Sequence, residues 1–186
     1  MKNNIEVEIC TFSLESCLNA QLAGASRVEL CSGMYDGGTT PSAAMIRMAR
    51  EKLSIQLYVM IRPRGGDFLY SDLEFEMMKE DIRFAKACRA NGVVLGILNA
   101  DGSVDVRRTR ELVELAAPLK VTFHRAIDMT RDMEEALEGI IEAGCYRVLT
   151  SGGRNTVNEG MERIKALVKQ AGGRVQIMAG SGVNAA

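Results

Sequence analysis

Hydrophobic residues along the chain form short runs that alternate with segments of helical period. Runs of this kind are typical of parallel strands, because helices cover both faces of such strands. They lie at residues 5–10, 27–31, 55–62, 92–98, 120–124, 146–150 and 174–180. Segments with apolar residues three and four positions apart follow six of them, as at Met133, Leu137 and Ile140. The pattern predicts seven strands and six helices in strict alternation.

Residues suited to helix ends stand between these segments. Capping pairs three residues apart are Ser71 with Glu74, Asp132 with Glu135 and Thr156 with Glu159. Pro41 suits a first helical turn. Helix ends at which a glycine adopts the left-handed backbone conformation are predicted at Gly24, Gly92, Gly144 and Gly172. These signals predict where the helices begin and end.

The spacing of the strands points to one fold class. Successive runs start roughly 22 to 37 residues apart, close to the roughly 31 residues of each unit in a TIM-type (β/α)₈ barrel. We therefore expect an α/β protein in which residues 1–186 form a single TIM-type (β/α) barrel domain. An eight-unit barrel needs about 60 further residues beyond the seventh strand. We accordingly expect an incomplete barrel that lacks its eighth unit because of C-terminal truncation.

Composition narrows the possible partners and the cellular location. The chain carries 23 Lys and Arg against 24 Asp and Glu, a net charge of -1, which favours neither nucleic acid nor an anionic membrane as a partner. No apolar run approaches the roughly 20 residues of a membrane span, and the N-terminus lacks an apolar signal region. Five Cys with no C-x-x-C pair indicate reduced thiols. We expect a cytoplasmic protein that handles a small molecule or a metal ion.

Polar residues interrupt the first two predicted strands on one face. Glu8 and Cys10 share a face of the first strand, and Glu29 and Cys31 share a face of the second. The opposite faces are apolar and suit packing against helices, so these four side chains should point into the barrel. Both Cys stand at the C-terminal ends of their strands, where barrel enzymes place their chemistry. A satisfied polar layer is the structural alternative, but buried ion pairs are a poor route to stability.

Two further polar residues extend this set and suggest acid–base chemistry. Arg62 ends the third strand and His124 ends the fifth. Glu8 or Glu29 could act as a general base and His124 as an acid or electrophile, which suits isomerase or lyase chemistry. Lys120 stands at the wrong end of the barrel for a Schiff-base mechanism.

Several loops suit a small anionic or phosphorylated ligand. Arg62 and Arg64 could hold a carboxylate or phosphate with paired guanidinium groups. Glycine-rich turns follow the sixth and seventh strands and offer backbone N–H groups, and the candidate substrate-binding residues in them are Ser151, Gly152, Gly153 and Gly180.

Longer stretches of the sequence resemble the CutC copper homeostasis family. They include Glu8–Cys10, Arg27–Gly33, Gly37–Ser42, Met60–Asp72, Val121–Met129 and Arg147–Gly153. They run through the chain in the family's order. The resemblance implies a TIM-like barrel, a cytoplasmic location, a tendency to form homodimers, and a Cu(I) site at Cys10 and Cys31. The turn after the seventh strand reads Met178-Ala179-Gly180-Ser181-Gly182, which departs from the family's usual Met-Pro-Gly-Gly-Gly.

Two functions therefore remain open. Cu(I) is a soft ion that prefers thiolate and thioether ligands, and Cys10 and Cys31 lie on neighbouring predicted strands, with Met60 as a further candidate ligand. The same pair could form a disulfide on oxidation. The first hypothesis is a copper homeostasis protein with copper as its bound ion. The alternative is a barrel enzyme that acts on a small anionic metabolite.

Overall fold

A computed structural model describes residues 5–184 of the chain. It contains seven strands, and their order in the sheet follows their order in the sequence. The strands are β1 (Glu8–Thr11), β2 (Arg27–Leu30), β3 (Gln56–Met60), β4 (Gly92–Leu95), β5 (Lys120–Phe123), β6 (Arg147–Thr150) and β7 (Gln176–Ala179). The helices are α1 (Leu14–Leu22), α2 (Ala43–Lys52), α3 (Asp72–Ala87), α4 (Val106–Ala116), α5 (Met133–Glu142) and α6 (Met161–Ala171). The predicted alternation of seven strands and six helices is confirmed.

The chain divides into two compact units. The first unit comprises residues up to Gly66 together with Leu73–Val94, and the second comprises Asp67–Asp72 together with residues from Leu95 onward. In the first unit β1 pairs with β2, β2 with β3, and β3 with β4, all in parallel. In the second unit β6 pairs in parallel with both β5 and β7.

Apolar side chains buried between strands and helices form the core of each unit. In the first unit they include Val28 and Leu57 of the sheet and Ile82 of α3. In the second they include Phe123 of β5 and Leu137 of α5. All residues of β2 and β4 are buried, as expected for parallel strands covered by helices. The residues of β4 are all apolar, as this burial requires, whereas β2 also buries the charged residues Arg27 and Glu29.

Helix starts agree with the sequence signals in part. Asp132 caps α5, where its side chain accepts hydrogen bonds from the N–H groups of Glu134 and Glu135. The start expected at Thr156 is wrong, since turns continue to Gly160 and α6 begins at Met161. The first turn expected at Pro41 is also wrong, because Ser42 caps α2. In both places the predicted signal lies in the loop that precedes the helix.

Short 3-10 helices follow two of the strands and were not predicted. One spans Met34–Asp36 after β2, and the other spans Arg125–Met129 after β5. Gly92 is a residue of β4 rather than a helix stop, whereas Gly24, Gly144 and Gly172 do have positive φ angles. The 3-10 segments matter for function because each lies beside residues singled out in the sequence.

Candidate metal centre

The register of β1 and β2 brings two cysteines and a glutamate together in the first unit. Cys10 stands directly opposite Glu29, and Cys31 follows β2. The two sulfurs, Cys10 Sγ and Cys31 Sγ, are 3.8 Å apart. One donor atom from each of the three side chains lies within 4.8 Å of the other two. The three residues form a candidate metal centre, which we call the Cys–Glu–Cys cluster.

Burial differs sharply within this cluster. Cys31 and Glu29 are buried, whereas Cys10 is exposed. Glu29 Oε1 is shielded from solvent and has no hydrogen-bond partner within the part of the chain that the structure describes. A buried carboxylate oxygen without a partner is costly, so this atom points to a missing ligand. The exposed Cys10 gives such a ligand a route from solvent.

Closely packed groups surround the buried cysteine. Tyr58, Met60 and Val94 form a buried cluster with Cys31. The backbone at Gly38 passes so near that a Cβ built there would lie 3.3 Å from Cys31 Sγ. Gly38 also has a φ of 94°, a left-handed conformation that favours glycine. The sequence Gly37-Gly38 therefore lets this loop close over the sulfur.

Mutual interactions shift the pKa values of the cluster. The hydrogen bond from Cys31 lowers the pKa of Cys10. That bond to Cys10, together with burial, raises the pKa of Cys31. Burial and the neighbouring Cys10 raise the pKa of Glu29 well above its usual range. Of the two thiols, Cys10 therefore loses its proton first, and a bound cation would favour proton loss from all three groups.

The donor set fits a thiophilic metal ion. Thiolates suit Cu(I) and Zn²⁺, whereas hard ions such as Mg²⁺ and Ca²⁺ prefer a cage of oxygens. The five cysteines are all free thiols, as metal binding requires. Cys10 and Cys31, with Glu29 beside them, are the residues that would hold the ion.

Glu8, predicted on the same face of β1, is in an ion pair. Its carboxylate accepts a hydrogen bond from Arg27 Nε, and Glu6 also pairs with this guanidinium at 3.2 Å. The guanidinium lies 5.1 Å from the centre of the Tyr58 ring. Arg27 is buried, so the acidic partners balance a charge that would otherwise be unpaired. Glu8 therefore has an ion-pair partner, Arg27, that the alternation of side chains along the strand did not identify.

The two arginines proposed as an anion clamp make contacts within the first unit. Arg62 is buried, and its guanidinium donates to the carbonyl oxygens of Asp36, Gly38 and Gly66 at 2.6–2.9 Å. Arg64 Nε donates to the Glu74 carboxylate at 2.6 Å. Arg62 thus ties together the two loops that follow β2 and β3. Anion binding by this pair stays a prediction.

In the second unit, His124 is buried beside an aromatic ring. Its imidazole lies 4.9 Å from the centre of the Phe68 ring. The N–H of Ala126 donates to His124 Nδ1 at 3.2 Å. A Cβ at Gly96 would approach the imidazole to 2.6 Å, so this glycine makes room for the ring. Because Nδ1 accepts a hydrogen bond, the neutral imidazole carries its proton on Nε2.

The glycine-rich turn after β6 surrounds a carboxylate of the chain itself. Asp128 accepts hydrogen bonds from the N–H groups of Ser151 and Gly153, and from the hydroxyl groups of Thr150 and Ser151. Arg125 Nε donates to the same carboxylate at 2.8 Å. Burial alone would raise the pKa of Asp128, but these hydrogen bonds lower it. Sequence reasoning identified the turn but missed Asp128, because the partners are more than twenty residues apart.

The other predicted glycines of the second unit fill tight positions. A Cβ at Gly152 would lie 2.5 Å from the Gly160 carbonyl oxygen, and one at Gly180 would lie 2.5 Å from Leu149 Cδ1. These glycines therefore have a packing reason to be present. Substrate binding by Ser151, Gly152, Gly153 and Gly180 stays a prediction.

Parallel strands in chain order, separated by helices, define a TIM-type (β/α) protein that lacks part of the barrel. Solved structures support this class: an aldolase, 17% identical, aligns with a TM-score of 0.74 over 99% of this chain and 84% of its own. At that identity the likeness concerns the fold alone. Among the described residues, no helix combines the length and apolar character needed to cross a membrane.

Sequence comparison then identifies the family. Residues 5–186 match the profile of the CutC family, and the chain belongs to that family. A CutC family protein of Chromobacterium violaceum is 54% identical over 95% of this chain and 72% of its own length. The mouse copper homeostasis protein cutC homolog is 50% identical over 97% of this chain and 66% of its own. A CutC crystal structure from Streptococcus agalactiae, 37% identical, aligns with a TM-score of 0.91 over 97% of this chain and 89% of its own.

Proposed function

We propose that this chain is a copper homeostasis protein that binds Cu(I) through Cys10 and Cys31. The observation that carries the proposal is the 3.8 Å separation of the two sulfurs, one in β1 and the other directly after the neighbouring parallel strand β2. Thiolates are preferred ligands of Cu(I), and both thiols are free. The names of the mouse and human relatives, which describe copper homeostasis, favour copper over other thiophilic ions.

Copper enters this proposal as cargo. Cys31 is buried and Cys10 is exposed, so an incoming ion meets Cys10 first and Cys31 second. The lowered pKa of Cys10 makes its thiolate the better first ligand. Binding to Cys31 then displaces a proton from a thiol whose pKa is raised. This order gives stepwise capture of an ion delivered from solvent.

An anaerobic Cu(I) titration in competition with a chromogenic chelator tests the proposal. We expect tight one-to-one binding by the unmodified chain and loss of at least about 100-fold in affinity in Cys10→Ser/Cys31→Ser. Cys88→Ser is the matched control, because Cys88 is a free thiol outside the Cys–Glu–Cys cluster. Equal affinity in the double variant, or weak binding by the unmodified chain, would overturn the assignment.

Location and assembly form part of the same proposal. A cytoplasmic location is supported by the free cysteines, since reducing compartments keep thiols from pairing. A homodimer is proposed from the family resemblance. Light scattering coupled to size exclusion measures the assembly state directly, and a monomeric mass would contradict the dimer.

A second candidate function is an enzyme acting on a small anionic or phosphorylated substrate. The observation that favours it is His124, whose accepting Nδ1 leaves Nε2 as a proton donor in the neutral ring. Glu8 and Glu29 are the candidate bases, with Arg62 and Arg64 as binding residues. Titration with inorganic phosphate tests the anion site. Binding that weakens in Arg64→Met would support it, and absence of phosphate binding would contradict it.

A further inference from the structure

We propose that Glu29 is a third ligand of the cluster and that the site also takes a divalent ion of Zn²⁺ type, with one coordination position left open. This inference rests on the same two cysteines as the proposed copper site, but it assigns a new ligand and a second metal. Its first support is the position of Glu29, which pairs with Cys10 across the strands and offers an oxygen within 4.8 Å of both sulfurs.

The separation of the sulfurs favours an angular site. A metal–thiolate bond of about 2.3 Å places two sulfurs about 3.8 Å apart at a tetrahedral angle and about 4.6 Å apart in a linear arrangement. Cys10 Sγ and Cys31 Sγ are 3.8 Å apart. The strands therefore hold the sulfurs at a tetrahedral edge, which leaves positions for further ligands on the same ion.

The unpartnered oxygen of Glu29 supplies the next ligand. Glu29 is 5% exposed, and its Oε1 has no hydrogen-bond partner among residues 5–184. Zn²⁺ accepts mixed sulfur and carboxylate ligands, whereas Cu(I) prefers sulfur. A coordinated ion would satisfy the buried oxygen, which gives the carboxylate a role that a two-cysteine Cu(I) site does not require.

Charge also favours a divalent ion at this depth. Two thiolates and the Glu29 carboxylate together carry three negative charges, of which Zn²⁺ balances two and Cu(I) only one. Nearby, Arg27 is engaged with Glu6 and Glu8. A buried site with less uncompensated charge is the more favourable one.

Cys10, Glu29 and Cys31 make three protein ligands, and the exposure of Cys10 leaves the fourth position open to solvent. Three protein ligands and an open position are typical of zinc sites that exchange a ligand. Zn²⁺ and Cu(I) would compete for the same two sulfurs. Occupancy by zinc would therefore oppose copper loading.

Substitution with Co²⁺ tests the proposal on the intact chain, because Co²⁺ reports its ligands by absorption. We expect thiolate-to-cobalt charge-transfer bands and visible bands of tetrahedral intensity, both abolished by Zn²⁺. Glu29→Gln should weaken Co²⁺ and Zn²⁺ binding by at least about tenfold, the lower end of what loss of a metal-site group costs. The same variant should keep Cu(I) affinity within about threefold, since Cu(I) relies on sulfur.

Two further variants separate the outcomes. Met60→Leu removes the neighbouring thioether while conserving volume, and we expect unchanged Co²⁺ binding and an unchanged spectrum. The double variant Cys10→Ser/Cys31→Ser should lose the binding of both Co²⁺ and Cu(I). Cu(I) binding without Co²⁺ binding, or equal Co²⁺ affinity in Glu29→Gln, would overturn the three-ligand site and leave the copper proposal intact. Co²⁺ binding with only weak Cu(I) binding would overturn the copper proposal and support the zinc-type site.

Discussion

The carboxylate of Asp128 lies in the turn of Ser151, where it accepts hydrogen bonds from both the backbone N–H and the hydroxyl of that residue. Turns of this kind bind anions because several N–H groups point to one place. In this protein the bound anion is the carboxylate of Asp128 itself, which links the segment after β5 to the segment after β6. The turn therefore stabilises the second unit.

Asp128→Asn should destabilise the protein by about 2 kcal/mol, because an amide replaces a charged acceptor of several hydrogen bonds. Urea denaturation near neutral pH measures this loss. The pKa of Asp128 is lower in the folded protein than in the unfolded chain, where it is about 4. The ionised Asp128 therefore stabilises the fold fully above about pH 4. This stabilisation is lost as the pH falls through the lower, folded pKa. The variant should therefore match the unmodified chain more closely in acid, and a pH-independent difference would contradict this account.

Gly160→Ala should be strongly destabilising, by about 3 kcal/mol or more. A Cβ at Gly160 would lie 1.8 Å from the Ser151 carbonyl oxygen, which is backbone and has little room to move. Gly24→Ala is the control, since its Cβ would meet nothing within 4 Å and only its φ of 87° opposes the change. We expect about 1 kcal/mol there. Thermal denaturation of both variants tests the difference, and equal losses would contradict the contact.

Arg62→Met should destabilise the first unit by about 2 to 4 kcal/mol, because three backbone carbonyl oxygens lose a charged donor. Arg64→Met should cost less than about 1 kcal/mol, since its ion pair with Glu74 is partly exposed. Chemical denaturation compares the two. If Arg62→Met lowered the free energy of unfolding less than Arg64→Met, the hydrogen bonds from Arg62 to the carbonyl oxygens would contribute little to stability.

Alkylation by iodoacetamide at neutral pH should modify Cys10 first. Cys10 is exposed and its pKa is lowered by the hydrogen bond from Cys31, so its sulfur is accessible and forms a thiolate more readily than an ordinary thiol does. Burial raises the pKa of Cys145 to about 12, and Cys145 should react last. Mass spectrometry of timed samples gives the order, and early labelling of Cys145 would contradict the packing described.

Affinity of the cluster for metal should rise with pH. Ligands must lose their protons, and the raised pKa values of Cys31 and Glu29 make that loss harder for both groups. Each proton displaced adds up to about tenfold in affinity per pH unit. Competition titrations at about pH 6, 7 and 8 measure the slope. A flat profile would show that no proton is displaced, and hence that these groups are not the ligands.

Periodicity in the sequence determined the order of the elements and the class of fold. Strands such as Gly92–Leu95 are buried on both faces, and that burial requires apolar residues which can be recognised locally. Alternation along each strand also placed Glu8 with Cys10 and Glu29 with Cys31, because side chains in a strand repeat every two residues. The cysteine pair was therefore predictable from sequence.

Only the tertiary structure decided which partner each polar group has. Asp128 in the turn of Ser151, Arg62 on the carbonyl oxygens of three loop residues, and the unpartnered oxygen of Glu29 all depend on segments distant in sequence. Hydrogen bonds of this kind are set by loop geometry, which has no period to reveal it. Sequence thus determines which residues can meet on a strand, and the folded loops decide what those residues contact.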